Sequence, residues 1–172
     1  MIADREDGPH QTLEAFVTAH YRRLVRLAAL VCIDQADAQD AVQNGLLRAW
    51  RHQRDLRDSA RLKSWLDAIV VREAIRLNGR GRTLIRRVTR RLTAADERLP
   101  APVGGSAEFA AALRSLPAAQ RAAVALHYEA GYTVAETAEL VGAPIETVRS
   151  RLRIARERLR RQYEEVDDAG RP

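Results

Sequence analysis

One segment near the carboxyl end, Thr133 to Arg161, constrains the fold more than any other part of the sequence. Its first residue, Thr133, is followed three positions later by Glu136, and at a helix start each side chain can accept a hydrogen bond from a free backbone N–H. Gly142 supplies the backbone freedom that is needed to leave this helix. Pro144 can then occupy the first turn of a second helix, where its missing N–H costs nothing. The segment therefore predicts two helices that are joined by a tight turn.

The two helices of this segment differ in their surfaces. The first has an apolar side made of Val134, Ala135, Ala138, Leu140 and Val141. The second has an apolar stripe at three- and four-residue spacing, made of Ile145, Val148, Leu152, Ala155 and Leu159. The rest of its surface carries Arg149, Ser150, Arg151, Arg153 and Arg156. Such a surface suits the major groove of DNA, where arginine pairs bidentately with guanine and also binds phosphates.

A solvated amphipathic helix explains this pattern as well as DNA binding does when the second helix is taken alone. The capped helix before it and the Val141-Gly142-Ala143 turn match the geometry of a helix-turn-helix, whose second helix enters the major groove. The two helices together therefore favour DNA binding.

The composition of the chain agrees with helical domains that bind a polyanion. Of 172 residues, 46% are hydrophobic and only 5% are aromatic, which fits short Ala- and Leu-rich helices better than sheets. The formal charge of +6 and the pI of about 10.3 favour a polyanionic partner. Cys32, the only cysteine, lies in an apolar run and is expected to be buried. Without a membrane-length apolar run or a basic-then-apolar leader, we expect a cytoplasmic protein that does not insert into membranes.

The amino-terminal part of the chain predicts a polar segment and then two amphipathic helices. Residues 1–11 are expected to lack fixed structure. The first helix, from about residue 12 to residue 31, carries His20 on its apolar face, where a core or boundary position is favoured over a ligand role. The second begins at Asp34 or Asp37, since either aspartate can cap a helix, and continues to about residue 54. Its buried stripe is expected to be Ala38, Ala41, Val42, Leu46, Ala49 and Trp50. Gly45 interrupts this stripe without a local reason.

A polar loop, residues 55–64, separates the second helix from a third. Ser64 is the expected cap of the third helix, which starts at Trp65 and ends at Asn78-Gly79. Trp65 has two interpretations. It belongs to the core, which we favour, or it stacks on an unpaired base, as exposed aromatic rings do with single strands.

The composition changes between residues 81 and 106. Arginines crowd its first part and prolines and glycines its last, so this stretch predicts a flexible basic linker. Two further helices, Ala107 to Ser115 and Leu116-Pro117 to Ala130, complete a second domain. An acidic tail, residues 164–172, is expected to be frayed. The predicted fold is therefore all-α, with two small helical domains, 12–80 and 107–163, joined by the linker.

Together these pieces resemble the extracytoplasmic-function, or group IV, RNA polymerase sigma factors of the sigma-70 family, over nearly the whole chain. The second domain is similar to region 4: it has the Leu-Pro-x-x-Gln-Arg opening, the Tyr-x-x-Gly-Tyr-Thr junction and the Thr-Val-Arg-Ser-Arg-Leu helix. In the family this helix reads the −35 promoter element in the major groove. The resemblance carries this role to Thr147, Arg149, Ser150, Arg151, Arg153 and Arg156. Ile154 stands where the family often has a basic residue.

The second helix resembles region 2.2, which binds the clamp helices of the largest polymerase subunit. The resemblance assigns this contact to Asp40, Gln43, Asn44, Arg48 and Trp50. Asn44 replaces the usual acid, while Gly45 and Leu46 replace a larger residue and a phenylalanine. The resemblance therefore implies a weakened contact with core polymerase.

The polar loop and the third helix resemble the segment that captures a flipped base of the non-template −10 strand, which a pocket of polar contacts must stabilise. The matching residues are Leu56, Arg57, Asp58, Ser59, Lys63, Trp65, Arg72 and Arg76. Arg72 stands where the family commonly has asparagine, and Arg76 where it has aspartate. Promoter melting or −10 preference is therefore expected to differ from that of a typical member.

The leading hypothesis is a sigma factor that binds core RNA polymerase, through its clamp helices and flap, and directs promoter-specific initiation. The departures from the family motivate an alternative, a two-domain helix-turn-helix regulator that has lost productive polymerase binding. An enzyme is not expected, because the sequence has no Gly-rich phosphate loop, paired acids or metal cluster, and no cofactor is expected. The resemblance also implies promoter DNA and an anti-sigma factor as partners, and a free protein that is monomeric.

Overall fold

The computed structural model describes residues 9–56, 58–79 and 107–169, and within these ranges every regular element is a helix. The amino-terminal domain consists of α1 (Pro9–Val31), α2 (Gln35–His52) and α3 (Leu62–Gly79). The carboxyl-terminal domain consists of α4 (Ala107–Ser115), α5 (Ala118–Val124), α6 (Val134–Val141) and α7 (Ile145–Ala169). The predicted all-α class with two helical domains is confirmed, and the expected linker lies outside the described residues.

Several helix ends differ from the sequence-based expectation. Helix α1 begins at Pro9, within the segment that was expected to lack structure, and α7 continues to Ala169, so the acidic tail is helical up to that residue. Between α2 and α3 lie two short 3₁₀ turns, Gln53–Asp55 and Ser59–Arg61. A π-helical turn, Ala125–Glu129, continues α5.

The expected helix cap at Asp34 is confirmed and that at Ser64 is wrong. The Asp34 carboxylate accepts a hydrogen bond from the backbone N–H of Asp37 at 2.8 Å. Helix α3 already begins at Leu62, because the Asp58 carboxylate accepts from the backbone N–H of Ala60 and starts the preceding 3₁₀ turn. The Ser64 hydroxyl instead donates back to the carbonyl of Arg61 at 3.0 Å.

The buried face of α2 consists of small residues, which lets α2 and α3 approach closely. Its buried residues are Ala38, Ala41, Val42, Gly45 and Ala49. Trp50, which was expected in this stripe, is 49% exposed, because it lies roughly a third of a turn away from the centre of the small-residue face. His20 is exposed as well, with its ring centroid 4.4 Å from that of Phe16. Trp65 is half-buried and packs against the core, as expected.

Gly45 has a structural reason that the sequence did not reveal. A Cβ atom at this position would lie 3.0 Å from Cγ2 of Val70 and 3.3 Å from its Cα. The second contact is with backbone, so a side-chain rotation cannot relieve it. Gly45 therefore permits the spacing between α2 and α3.

We expect Gly45→Ala to lower the free energy of unfolding by about 1–2 kcal/mol, because overpacking outweighs the gain in helix propensity. Chemical denaturation followed by circular dichroism measures this change. Asn44→Ala, at the neighbouring exposed position, is the matched control and is expected to be neutral or slightly stabilising. A Gly45→Ala protein as stable as this control would show that the two helices can separate without cost.

Candidate nucleic-acid interface

The helix-turn-helix that the sequence predicts is formed by α6 and α7. The Thr133 hydroxyl accepts from the backbone N–H of Glu136 at 3.2 Å, and the Glu136 carboxylate accepts from the backbone N–H of Thr133 at 2.7 Å. This is the expected capping box. The bond from the Thr133 backbone N–H, and next the bond that the Thr133 hydroxyl donates to the same carboxylate at 2.8 Å, hold the pKa of Glu136 below its usual value. Gly142 ends α6 with φ 67°, a left-handed conformation that favours glycine.

Helix α7 is anchored by the predicted stripe, with one exception. Val148, Leu152 and Ala155 are buried, and Leu159 is partly buried against the same core. Ile145 is 40% exposed, because side chains tilt toward the amino end of a helix and that of the first residue projects beyond it.

Most of the residues that the resemblance assigns to the −35 element lie on the exposed side of α7. Arg149, Ser150, Arg153 and Arg156 are exposed, whereas Thr147 and Arg151 are half-buried, as is Ile154. Two of the arginines have acidic neighbours on the same helix. Nη1 of Arg149 lies 2.5 Å from Oε1 of Glu146, and Nη1 of Arg153 lies 2.9 Å from Oε1 of Glu157. Because exposed ion pairs of this kind contribute little stability, neither guanidinium group is tightly held by its acidic neighbour.

The residues that the resemblance assigns to polymerase share one side of α2. Gln43, Asn44, Arg48 and Trp50 are exposed, and Asp40 is half-buried. Leu47, which sequence reasoning missed, is 58% exposed and lies one turn before Trp50. Its position outside the small-residue stripe was the available signal. Arg48 is held in place by Glu73 of α3, with Nη1 2.9 Å from Oε1 of that buried carboxylate.

The residues assigned to the −10 strand do not form one free surface. Leu56 and Trp65 are half-buried, Asp58 and Ser59 are exposed, and Arg57 lies outside the described residues. Arg76 forms an ion pair with Glu73. Lys63 and Arg72 both contact the carboxyl-terminal domain: Nζ of Lys63 donates to the Tyr132 hydroxyl at 2.9 Å, and Nε of Arg72 donates to the carbonyl of Leu140 at 2.8 Å.

Sequence reasoning missed a buried acid between the domains. Asp67 of α3 has a fully buried side chain and accepts two hydrogen bonds from Arg23, at 2.9 and 2.6 Å. The Tyr132 hydroxyl donates to the same carboxylate at 2.8 Å. Burial, and next the Asp67 carboxylate, raise the pKa of Tyr132 above its usual value. The sequence contained a signal for this buried acid, because Asp67 interrupts the apolar run that follows Trp65.

The described residues contain no group of three or more His, Cys, Asp or Glu side chains that could hold a metal ion. None of the helices in these ranges is both long and apolar enough to traverse a bilayer. Cys32 is buried, as expected, and burial raises the pKa of its thiol to about 12.

The fold and the exposed basic helix define a two-domain helical protein with a DNA-binding helix-turn-helix. Two family models match the chain: sigma-70 region 2 over residues 16–91 and sigma-70 region 4 over residues 106–159. The chain is 34% identical over 167 residues to the ECF RNA polymerase sigma factor SigM of Mycobacterium tuberculosis, covering 94% of this chain and 82% of that protein. It is 31% identical over 160 residues to SigL of the same organism, covering 90% of each.

Two solved structures have the same fold. The sigma factor RpoE of Bartonella quintana, crystallised with the anti-sigma factor NepR, matches with a TM-score of 0.69 and 27% identity over 88% of this chain and 96% of that one. CnrH, in complex with the cytosolic domain of CnrY, matches with a TM-score of 0.61 and 23% identity over 96% of this chain and 92% of that one, a likeness of fold alone.

The chain therefore belongs to the extracytoplasmic-function sigma factors of the sigma-70 family. It directs promoter-specific transcription, and proteins of this class are generally not enzymes. The alternative of a regulator without polymerase binding is not favoured, because both sigma regions match and the relatives align along most of the chain.

We expect Thr133→Ala to destabilise the protein by about 1 kcal/mol, because it removes the hydroxyl that caps α6. Thermal or chemical unfolding measures the loss. Thr133→Ser keeps the hydroxyl and is expected to retain most of the stability. Equal losses in the two variants would show that the methyl group of the threonine, rather than the cap, is responsible.

Proposed function

We propose that this sigma factor reads the −35 element of its promoters with α7. The observation that supports this most directly is the division of α7 into a buried apolar stripe and an exposed face rich in arginine. We assign the exposed Arg149, Ser150 and Arg153 to contacts with base edges, where arginine can bind guanine bidentately. We assign Arg156 to phosphate, and the half-buried Thr147 and Arg151 belong to the same proposed set.

The amino-terminal domain, residues 12–80, would bind core polymerase and the −10 strand, and residues 107–163 would bind the −35 element. Two weakly binding domains on one linker gain affinity for a correctly spaced promoter, because binding of one raises the effective concentration of the other. For the −10 strand we propose the loop and α3 residues that the resemblance assigns, with Trp65 at the boundary of the core. The linker, residues 81–106, connects the two.

The exposed side of α2 is the proposed surface for the clamp helices of core polymerase. Leu47 and Trp50 offer apolar and aromatic area next to polar Gln43 and Asn44, a combination common at protein interfaces. Arg48, fixed by Glu73, adds an oriented cation.

Further partners follow from the relatives. RpoE was crystallised with an anti-sigma factor, and we propose a partner of this kind for this chain as well. We further propose that the protein acts on polymerase in the cytoplasm, is monomeric when free, and has no catalytic activity or cofactor of its own.

The function is tested by transcription with core enzyme. The protein is mixed with bacterial core RNA polymerase and a pool of random-sequence promoter DNA, and the transcripts are sequenced. Transcripts that share two upstream elements about one and a half to two helical turns apart are expected, since each domain reads one element. Retention of duplex DNA without any transcript would contradict the proposal.

Arg153→Ala is expected to relax base preference within the −35 element and weaken promoter binding about tenfold, the range of one good arginine–guanine contact. Repeating the selection with this variant measures the first effect, and a salt titration of promoter binding measures the second. Arg114→Ala removes the same charge from an exposed site on α4 and is the matched control. A change in the −10 element instead of the −35 element would contradict the assignment of α7.

Trp50→Ala and Leu47→Ala are each expected to weaken binding to core polymerase about tenfold, because they remove exposed apolar side chains from the proposed interface. Fluorescence anisotropy with labelled sigma factor measures the affinity. Tyr21→Ala removes an exposed aromatic side chain from α1 and serves as the control. If the control weakens binding as much as Trp50→Ala does, the interface is not confined to α2.

A further inference from the structure

Two basic side chains that are proposed to bind the −10 strand also form contacts between the two domains of this chain. Lys63 and Arg72 belong to the −10 set, and both contact the carboxyl-terminal domain. We propose that the chain has a closed state in which its own carboxyl-terminal domain occupies Lys63 and Arg72 and competes with single-stranded DNA for them. The competition rests on the proposed −10 role of these residues, whereas the closed state itself does not.

Arg72 joins α3 to the end of the helix-turn-helix's first helix. Its Nε donates to the carbonyl of Leu140 at 2.8 Å, and its Nη2 donates to that of Glu139 at 3.0 Å. Carbonyls in the last turn of a helix lack partners within the helix, and the helix dipole favours a cation there. A shorter, uncharged side chain at this position, such as asparagine, lacks the guanidinium donors that make both contacts. The contact therefore depends on the length and the two donors of an arginine at position 72.

A second contact between the domains is centred on Asp67. A buried carboxylate is costly unless it is paired and hydrogen-bonded, and Asp67 obtains one of its bonds from Tyr132 of the other domain. The same hydroxyl accepts from Lys63, whose Nζ also lies 4.3 Å from the centre of the Tyr132 ring. Separating the domains would remove these interactions together.

In a third contact the carboxyl-terminal domain supplies the arginine and the amino-terminal domain supplies the acceptors. Arg121 of α5 is buried, and its Nε donates to the carbonyl of Val31, the last residue of α1, at 2.7 Å. Its Nη2 donates to the side-chain oxygen of Asn78 at 3.2 Å, near the end of α3. Each domain thus places an arginine on the carboxyl end of a helix in the other, and the buried apolar residues of both form one continuous cluster.

Because of these contacts, DNA and the carboxyl-terminal domain would compete for the side chains of Lys63 and Arg72. The Arg72 guanidinium uses both Nε and Nη2 on carbonyl oxygens, the donors that a phosphate would take in a bidentate contact. Lys63 would likewise have to leave Tyr132. The two effects are thermodynamically linked. The free energy by which closure weakens binding of a single strand equals the free energy by which the bound single strand destabilises the closed state.

Tyr132→Phe tests the proposal, because it removes the hydroxyl between Asp67 and Lys63 and leaves both proposed DNA-binding cations intact. A donor and an acceptor dye on Ala15→Cys and Ala135→Cys, exposed positions in the two domains, report closure by energy transfer in the full chain. Cys32 is buried and stays in place. A labelled random-sequence single-stranded oligonucleotide reports DNA affinity, and Tyr128→Phe, at an exposed tyrosine of the same domain, is the control.

We expect Tyr132→Phe to lower energy transfer and to raise the affinity for the oligonucleotide about tenfold, because the closed state loses hydrogen bonds to charged groups. The control variant is expected to change neither quantity. Adding the oligonucleotide to the unmutated sequence is expected to lower energy transfer too. Arg72→Gln is expected to open the chain as Tyr132→Phe does but to gain less affinity, because one DNA-binding cation is lost.

Unchanged energy transfer in both Tyr132→Phe and Arg72→Gln would overturn the closed state. Saturation of the unmutated sequence by the oligonucleotide without a fall in energy transfer would overturn the competition. If the chain opens in Tyr132→Phe but neither form binds the oligonucleotide, the −10 role of Lys63 and Arg72 is wrong and the competition falls with it. That result is distinguishable from failure of the closed state, which the dyes measure without DNA.

Discussion

A guanidinium group bound to the carboxyl end of a helix is the interaction on which the arrangement of this sigma factor depends. Arg121 binds the end of α1, and Arg72 binds the end of α6. Both arginines bind carbonyl oxygens in the last turn of a helix, where partners within the helix run out, so each contact adds a charged donor at a helix end. These contacts hold together two domains of different architecture. In one, helices pack closely, and the other presents a single basic helix at its surface.

Local patterns predicted the local structure well. The apolar periodicity predicted the helices, and the Thr133–Glu136 spacing and Gly142 predicted the start and end of α6 to the residue. Errors arose where a neighbour in space, rather than in sequence, decides the outcome. Gly45 is explained only by its contact with Val70 of α3. Trp50 was wrongly assigned to the core, because α3 determines how wide the buried face of α2 is and the sequence of α2 alone does not show this width.

The same distinction separates the parts of the candidate site. The exposed face of α7 could be predicted because its members lie on one helix, where spacing alone decides which residues share a face. The exposure of Leu47 was overlooked, although its position outside the small-residue stripe of α2 indicated it. The −10 set extends over a loop and a helix, and contacts with a distant part of the chain determine which of its cations are accessible. No local pattern contains that information, because Lys63 and Tyr132 are 69 residues apart.

The position of Cys32 bears on how such a protein can respond to oxidants. The thiolate is the form of cysteine that reacts with peroxides and disulfides, and burial raises the pKa of this thiol to about 12, so very little thiolate exists near neutral pH. The core formed by α1, α2 and α3 also excludes reagents from the sulfur atom. The folded chain is therefore a poor direct sensor of oxidative stress through this thiol.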